Sequence, residues 1–92
     1  MSASNTLFTL KNTILDVIYD LNEQDIKDTQ TLSDLNAGSI ERTEILMVTA
    51  RAIGLSIRSV TLREVAGLSL QSIADTFDSW LLDPAVVNAN GR

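Results

Sequence analysis

The stretch DLNAGSIERTEIL, residues 34–46, decides the fold because a loop ends and a helix begins inside it. Ala37 and Gly38 stand before Ser39, and an apolar spacing typical of a helix follows it. A serine at a helix start commonly caps the helix, which stabilises it by about 1 kcal/mol. The same position also offers a hydroxyl beside the partial positive charge of the helix end, where a phosphate ester would be stabilised. Ser39 therefore has two candidate roles, a cap or a modification site.

The helix that follows is predicted from Ser39 to Ile53, with Gly54 as its stop. At about 100° per residue it has two apolar arcs. The first arc contains Ile45, Leu46, Thr49, Ala52 and Ile53. The second contains Ser39, Ile40, Thr43 and Met47. We expect the first arc to pack on another helix, and the second either to meet more core or to form a docking patch beside Ser39.

Upstream of this stretch, a helix is predicted from about Asn5 to Leu21, capped by Ser4 or Asn5. Its apolar stripe is Leu7, Leu10, Ile14, Val17, Ile18 and Leu21. The periodicity then disappears between Asn22 and Gly38, which indicates a long loop, and loops of this length in small domains are often functional. Its sizeable apolar residues, which we expect to pin it to the core, are Ile26, Leu32 and Leu35.

Downstream, Ile57 is expected to turn inward, and VTLREVAG forms only a short helix before Gly67. A last helix is predicted with Ser69 as its cap and Pro84 just past its end. Its apolar stripe is Leu70, Ile73, Phe77 and Leu81, and Trp80 covers the end of the core. The pattern predicts an all-α bundle of four helices, with a long loop between helices 1 and 2 and a short third helix.

Composition limits the chemistry of the chain. Its 92 residues, 45% hydrophobic, suit one small domain, and we place it at residues 5–83 between flexible segments 1–4 and 84–92. The chain has no cysteine and no histidine, which excludes disulfides, thiolate nucleophiles, imidazole bases and the usual zinc ligands. A net charge of -5 argues against nucleic acid as a partner and favours a basic protein surface.

The sequence also bears on location. The N-terminal stretch MSASNTLFTLKN lacks the pattern of a secretory signal, and no run of about 18 apolar residues occurs. We expect a cytoplasmic monomer without a membrane partner. No catalytic base, metal cluster or phosphate-binding glycine loop is evident, so we expect a protein that is not itself an enzyme.

The segment LSDLNAGSIERTEIL resembles the signature of the acyl carrier proteins, in which a leucine and a Gly-containing turn precede Asp-Ser-Leu at the start of the second of four helices. The resemblance covers roughly residues 5–82. Leu32 and Leu35 match upstream, Ser39 stands at the modified serine, and Ile40 replaces the leucine. The residues that follow in the same pattern are Glu44, Ile45 and Leu46.

The resemblance implies an acyl-carrier-like four-helix bundle whose Ser39 hydroxyl receives 4'-phosphopantetheine from coenzyme A through a phosphopantetheinyl transferase. The thiol of this cofactor then carries acyl groups as thioesters, so a chain without cysteine would gain a thiol from the cofactor. Gly38 departs from the pattern because aspartate is usual before the serine. This departure removes a charge beside the surface that the transferase recognises.

Within that family, the stretch looks most similar to stand-alone carriers of polyketide β-branching, whose segment reads about Asp-Leu-Gly-Ala-Asn-Ser-Ile-Asp-Arg-Ala-Glu-Ile. Asn36 and Gly38 look like its glycine and asparagine exchanged. The resemblance implies a donor of acetyl or propionyl groups to an enzyme similar to hydroxymethylglutaryl-CoA synthase. It also implies an acyl-loading enzyme, either an acyltransferase or a decarboxylase.

We expect partner enzymes to contact the surface around Ser39. Glu41 and Glu44 can meet basic residues, whereas Arg42 and Arg51 would repel an enzyme adapted to a wholly acidic helix. The remaining candidate contacts are Gly38, Ile40, Thr43, Met47, Arg58 and Arg63. The charged side chains on this surface could equally form a solvated face. Two alternatives stay open: a carrier of other acyl or aminoacyl cargo, and an unmodified helical interaction domain in which Ser39 only caps a helix.

Overall fold

The computed structural model describes residues 3–55, 57 and 59–82, and this part of the chain is mostly helical. Its four α-helices are α1 (Ala3–Val17), α2 (Ser39–Ala52), α3 (Ser59–Val65) and α4 (Leu70–Leu82). Within these residues there is no β-strand, only an isolated antiparallel bridge between Thr31 and Ser69. The all-α prediction, with a long loop before α2 and a short α3, is therefore confirmed. The predictions for Arg58, Pro84 and the tail 84–92 fall outside the described residues.

No helix in the described ranges is both long enough and apolar enough to cross a bilayer.

Helix α1 is shifted toward the N-terminus relative to its prediction. It begins at Ala3, so Ser4 and Asn5 lie inside the helix and neither is its cap. It ends at Val17, and the chain turns at Tyr19 before a 3-10 turn at Glu23–Asp25. Leu21 still packs against the core from outside the helix. The apolar spacing thus predicted burial correctly but overestimated the length of the helix.

Helix α2 ends close to its predicted stop. Its last residue is Ala52, and Gly54 follows with a φ of 91°, a left-handed conformation that glycine adopts without steric cost. The amide of Leu55 donates to the Ala50 carbonyl at 2.8 Å, which closes the end of the helix. One prediction for the inward arc is wrong: Ala52 is exposed, whereas Ala50 is buried. The buried arc centres on Leu46 and Thr49, so Ala52 lies at its edge.

The core lies where α1, α2 and α4 meet, and α3 packs beside α2. Helix α4 contributes the buried residues Leu70, Ile73, Ala74 and Phe77. Ser69 caps it as predicted, accepting from the Ser72 amide at 3.2 Å. Leu81, predicted in the stripe, is exposed because the last turn extends past the core. Trp80 covers this end instead, with its ring centroid 5.7 Å from that of Phe77.

The long loop between α1 and α2 is fastened along its length. Ile26, Leu32 and Leu35 are all buried, as predicted. The first amides of α4 donate into the loop, Leu70 to the Gln30 carbonyl at 2.8 Å and Gln71 to the Asp28 carbonyl at 3.0 Å. The start of α2 is therefore held in place by the core and by α4.

Candidate modification site and docking groove

The start of α2 is capped by residues other than Ser39. Gly38 is the N-cap, with φ -73° and ψ 175°, and its amide donates to Oε1 of Glu41 at 2.7 Å. Ser39 is the first helical residue and is exposed, and its hydroxyl makes no hydrogen bond among the described residues. The prediction that Ser39 itself caps the helix is therefore wrong, because Gly38 occupies the cap position. An unmodified helical interaction domain stays an alternative.

The turn before Ser39 is fixed by its backbone and by one arginine. Asn36 adopts a left-handed φ of 66°, a conformation that asparagine tolerates better than most non-glycine residues. Ala37 is buried, and its amide donates to the Leu32 carbonyl at 3.1 Å. Nη1 of Arg42 donates to Oγ of Ser33 and to the Ala37 carbonyl, both at 3.0 Å. Arg42 thus connects α2 to the loop.

A groove of about 660 Å³ runs along the exposed side of α2 toward α3. Its lining residues are Ser39, Ile40, Thr43, Glu44, Met47, Val48, Arg51 and Arg63. Ile40 is 81% exposed, Met47 37% and Val48 43%, which is high for apolar side chains on one face. Helix α2 therefore has the two apolar sides that its sequence predicts, one in the core and one open beside Ser39.

Most of the predicted site residues lie together around Ser39. The members that line the groove are Ser39, Ile40, Thr43, Glu44, Met47 and Arg63. Gly38 and Glu41 lie with Ser39 and Ile40 around a smaller hollow of about 410 Å³. Two of the charged candidates are engaged internally, since Glu41 accepts from the helix start and Arg42 donates to the loop. Arg58 lies outside the described residues.

Sequence reasoning missed Val48 and treated Arg51 only as a charge, although both line the groove. The helical period contains the missing signal, because Val48 follows Glu44 by one turn and Arg51 follows Met47 by one turn. Val48 does not stand out in the sequence, because its neighbours one turn away on the same face, Glu44 and Arg51, are charged.

The groove carries three ionisable side chains, Glu44, Arg51 and Arg63, and all three are exposed. Beside them, Ser39 presents a hydroxyl at the end of a helix whose first amides have no helical acceptor. Thr43 Oγ1 donates to the Ser39 carbonyl at 3.1 Å, so the neighbouring hydroxyl is directed at the backbone. The arrangement can offer the Ser39 hydroxyl to another protein.

Comparison with protein-family models, with curated proteins and with solved structures finds no match for this chain.

Proposed function

We propose that this chain is an acyl carrier protein that bears 4'-phosphopantetheine on Ser39. The observation that carries the proposal is the state of Ser39, an exposed serine at the first position of α2 that does not cap its helix. A buried serine would be unavailable to a transferase. The resemblance of residues 32–46 to the carrier-protein signature supplies the choice of modification.

The residues around Ser39 fit a phosphate ester. The first turn of α2 has amides without helical acceptors and the partial positive charge of a helix N-terminus, both of which stabilise a phosphate. Gly38 is exposed and adds no side chain beside the hydroxyl. When bound, phosphopantetheine supplies a thiol that carries acyl groups as thioesters, a chemistry that a chain without cysteine lacks.

We further propose that the four helices form a bundle of the acyl-carrier type. The order of the elements supports this assignment. A long first helix is followed by an anchored loop, a helix that begins at the candidate serine, a short third helix and a last helix.

Within this class, we propose that the chain donates acetyl or propionyl groups to an enzyme similar to hydroxymethylglutaryl-CoA synthase. The local sequence around Ser39, including Arg42 and Glu44, supports this narrower role. The prosthetic group is chemically the same in every carrier, so recognition by such an enzyme depends on the surface of the chain. We assign that surface to the groove beside Ser39.

Intact mass tests the carrier function. The purified chain is incubated with coenzyme A, Mg²⁺ and a broad-specificity phosphopantetheinyl transferase. The Ser39→Ala variant and the Ser79→Ala variant are treated in parallel, because Ser79 is another exposed helical serine. We expect the wild type and Ser79→Ala to gain one phosphopantetheinyl group and Ser39→Ala to gain none.

Two outcomes would contradict the proposal. If several transferases add no mass to the folded wild type, the groove belongs to an unmodified helical interaction domain. If Ser39→Ala gains as much as the wild type, another residue is modified. Once the mass gain is established, transfer of an acetyl group from the loaded chain to the synthase-like enzyme tests the donor role, and acceptance of aminoacyl cargo instead would refute it.

A further inference from the structure

The groove beside Ser39 has a charge opposite in sign to that of the whole chain. Its lining contains one acid, Glu44, and two cations, Arg51 and Arg63, which leaves a net charge of +1 on a protein whose net charge is -5. Glu41 and Arg42 do not change this balance, because neither lines the groove and their opposite charges cancel. The part of α2 that borders the groove is therefore not an acidic surface.

Glu44 does not neutralise the far end of the groove. Arg51 follows it by seven residues on α2, a separation of about 10 Å along the helix axis. That separation is close to the screening length of about 8 Å at physiological salt, so the attraction between the two charges is weak. Arg63 lies on α3, across the groove from α2. No ion pair engages Arg51 or Arg63 within the described part of the chain.

We propose that this groove docks a partner surface that combines an apolar side chain with carboxylates. The apolar side chain would contact Ile40, Met47 and Val48, whose exposed area lies between Ser39 and the two arginines. The carboxylates would pair with Arg51 and Arg63, whose planar guanidinium groups suit carboxylate geometry. This inference deepens the proposed function, because the docked partner is an enzyme that acts on the group attached to Ser39.

The two components contribute differently to docking. Burial of the exposed parts of Ile40, Met47 and Val48 supplies most of the contact energy, since removal of apolar surface from water is the dominant favourable term in most protein association. The exposed arginines contribute less energy but select the sign of the partner charge. Glu64 is exposed on α3 next to Arg63 but does not line the groove.

Two synthetic helical peptides test the charge preference without requiring the natural partner. Each peptide is roughly 15 residues long, with the same leucine and phenylalanine residues on one face. One has glutamate and the other lysine at the flanking positions. The ¹⁵N-labelled chain is titrated with each peptide, and chemical-shift changes are followed at the groove residues.

We expect the glutamate peptide to shift the groove amides and the lysine peptide to bind there more weakly. Arg51→Gln and Arg63→Gln should each weaken binding of the glutamate peptide by about two- to threefold, as expected for exposed ion pairs. Lys27→Gln is the matched control, because it removes one exposed cation away from the groove and should leave the affinity unchanged. Added salt should reduce the difference between the two peptides.

The proposal is overturned if neither peptide shifts the groove amides, if both bind there equally, or if both arginine variants behave like Lys27→Gln. These outcomes are independent of modification at Ser39. A chain that gains phosphopantetheine but shows no preference between the peptides keeps the carrier function and loses this inference. A chain that prefers the glutamate peptide but gains no mass keeps the docking surface and loses the carrier function.

Discussion

Thr49 offers a sharp stability test on the helix that carries Ser39. Its side chain is fully buried, and its Oγ1 atom has no hydrogen-bond partner in the described part of the chain. A buried hydroxyl without a partner costs about 1–3 kcal/mol, and a buried methyl group contributes about 0.8 kcal/mol. Thr49→Val replaces the hydroxyl with a methyl group of similar shape and keeps the β-branch. We therefore expect the free energy of unfolding to rise by about 2 kcal/mol, the lower end of these two contributions taken together.

Urea unfolding followed by far-UV circular dichroism measures this change directly, because the slope should stay constant while the midpoint rises. In a domain of this size, each 1 kcal/mol should raise Tm by about 4–8 °C. The matched control is Thr13→Val on α1, since Thr13 is also buried but its Oγ1 donates to the Thr9 carbonyl at 2.9 Å. That variant loses a hydrogen bond and should gain no stability.

The reasoning would be refuted if Thr49→Val were neutral or destabilising. Such a result would mean that Oγ1 already has a partner, most simply the carbonyl of Ile45 one turn earlier on the helix, as threonines in helices often do. Equal effects of the two valine variants would also contradict it, because the argument depends on the difference in hydrogen bonding.

Three further predictions concern the approach to Ser39. Asn36→Ala should lower the free energy of unfolding by about 1 kcal/mol, because alanine disfavours the left-handed φ of 66°. Asn36→Gly should leave this free energy unchanged, and urea unfolding compares the two variants. Gly38→Asn should add a few tenths of a kcal/mol as a better N-cap. Gly38→Asp should gain less, because a Cβ at this position lies 3.4 Å from Oε1 of Glu41, so the aspartate carboxylate would be repelled by the glutamate carboxylate beside it. Differential scanning calorimetry resolves their order, and a higher Tm for Gly38→Asp than for Gly38→Asn would contradict it. Arg42→Met should lower the free energy of unfolding by about 1 kcal/mol and speed hydrogen exchange at the Ala37 amide. The substitution removes the donors to Ser33 and Ala37 but keeps the apolar stem of the side chain. Unchanged exchange would show that the loop does not need this arginine.

The sequence predicted the helices and the loop because both depend on local signals. The spacing of Leu10, Ile14, Ile45 and Leu46 reflects the helical period, and all four are buried. The errors occur at the ends of helices, where propensity is weak and tertiary contacts decide. Helix α1 shows this well, since its apolar stripe continues past the last helical residue and still reaches the core.

The sequence predicted where the candidate site lies, but not which of its charged side chains make contacts within the chain and which remain free. The sequence places Glu41, Arg42 and Glu44 on one helix, and nothing in their spacing tells which of them face a partner. The structure separates them through the cap at Gly38 and through the Ala37 carbonyl, which accepts from Arg42. The contacts of Arg42 depend on the path of the loop, which has no periodicity from which it could be predicted.

The departure of this chain from the carrier-protein pattern is compatible with two backbone requirements. Position 36 needs a residue that tolerates a left-handed φ, and position 38 needs a residue suited to an N-cap with an extended backbone. Glycine and asparagine satisfy both requirements, so exchanging them between Asn36 and Gly38 costs only a few tenths of a kcal/mol at the cap. The backbone that presents Ser39 is thus compatible with either order. What Gly38 removes is the charge of the usual aspartate, so if the chain is the carrier we propose, the consequence appears in the choice of transferase and not in folding.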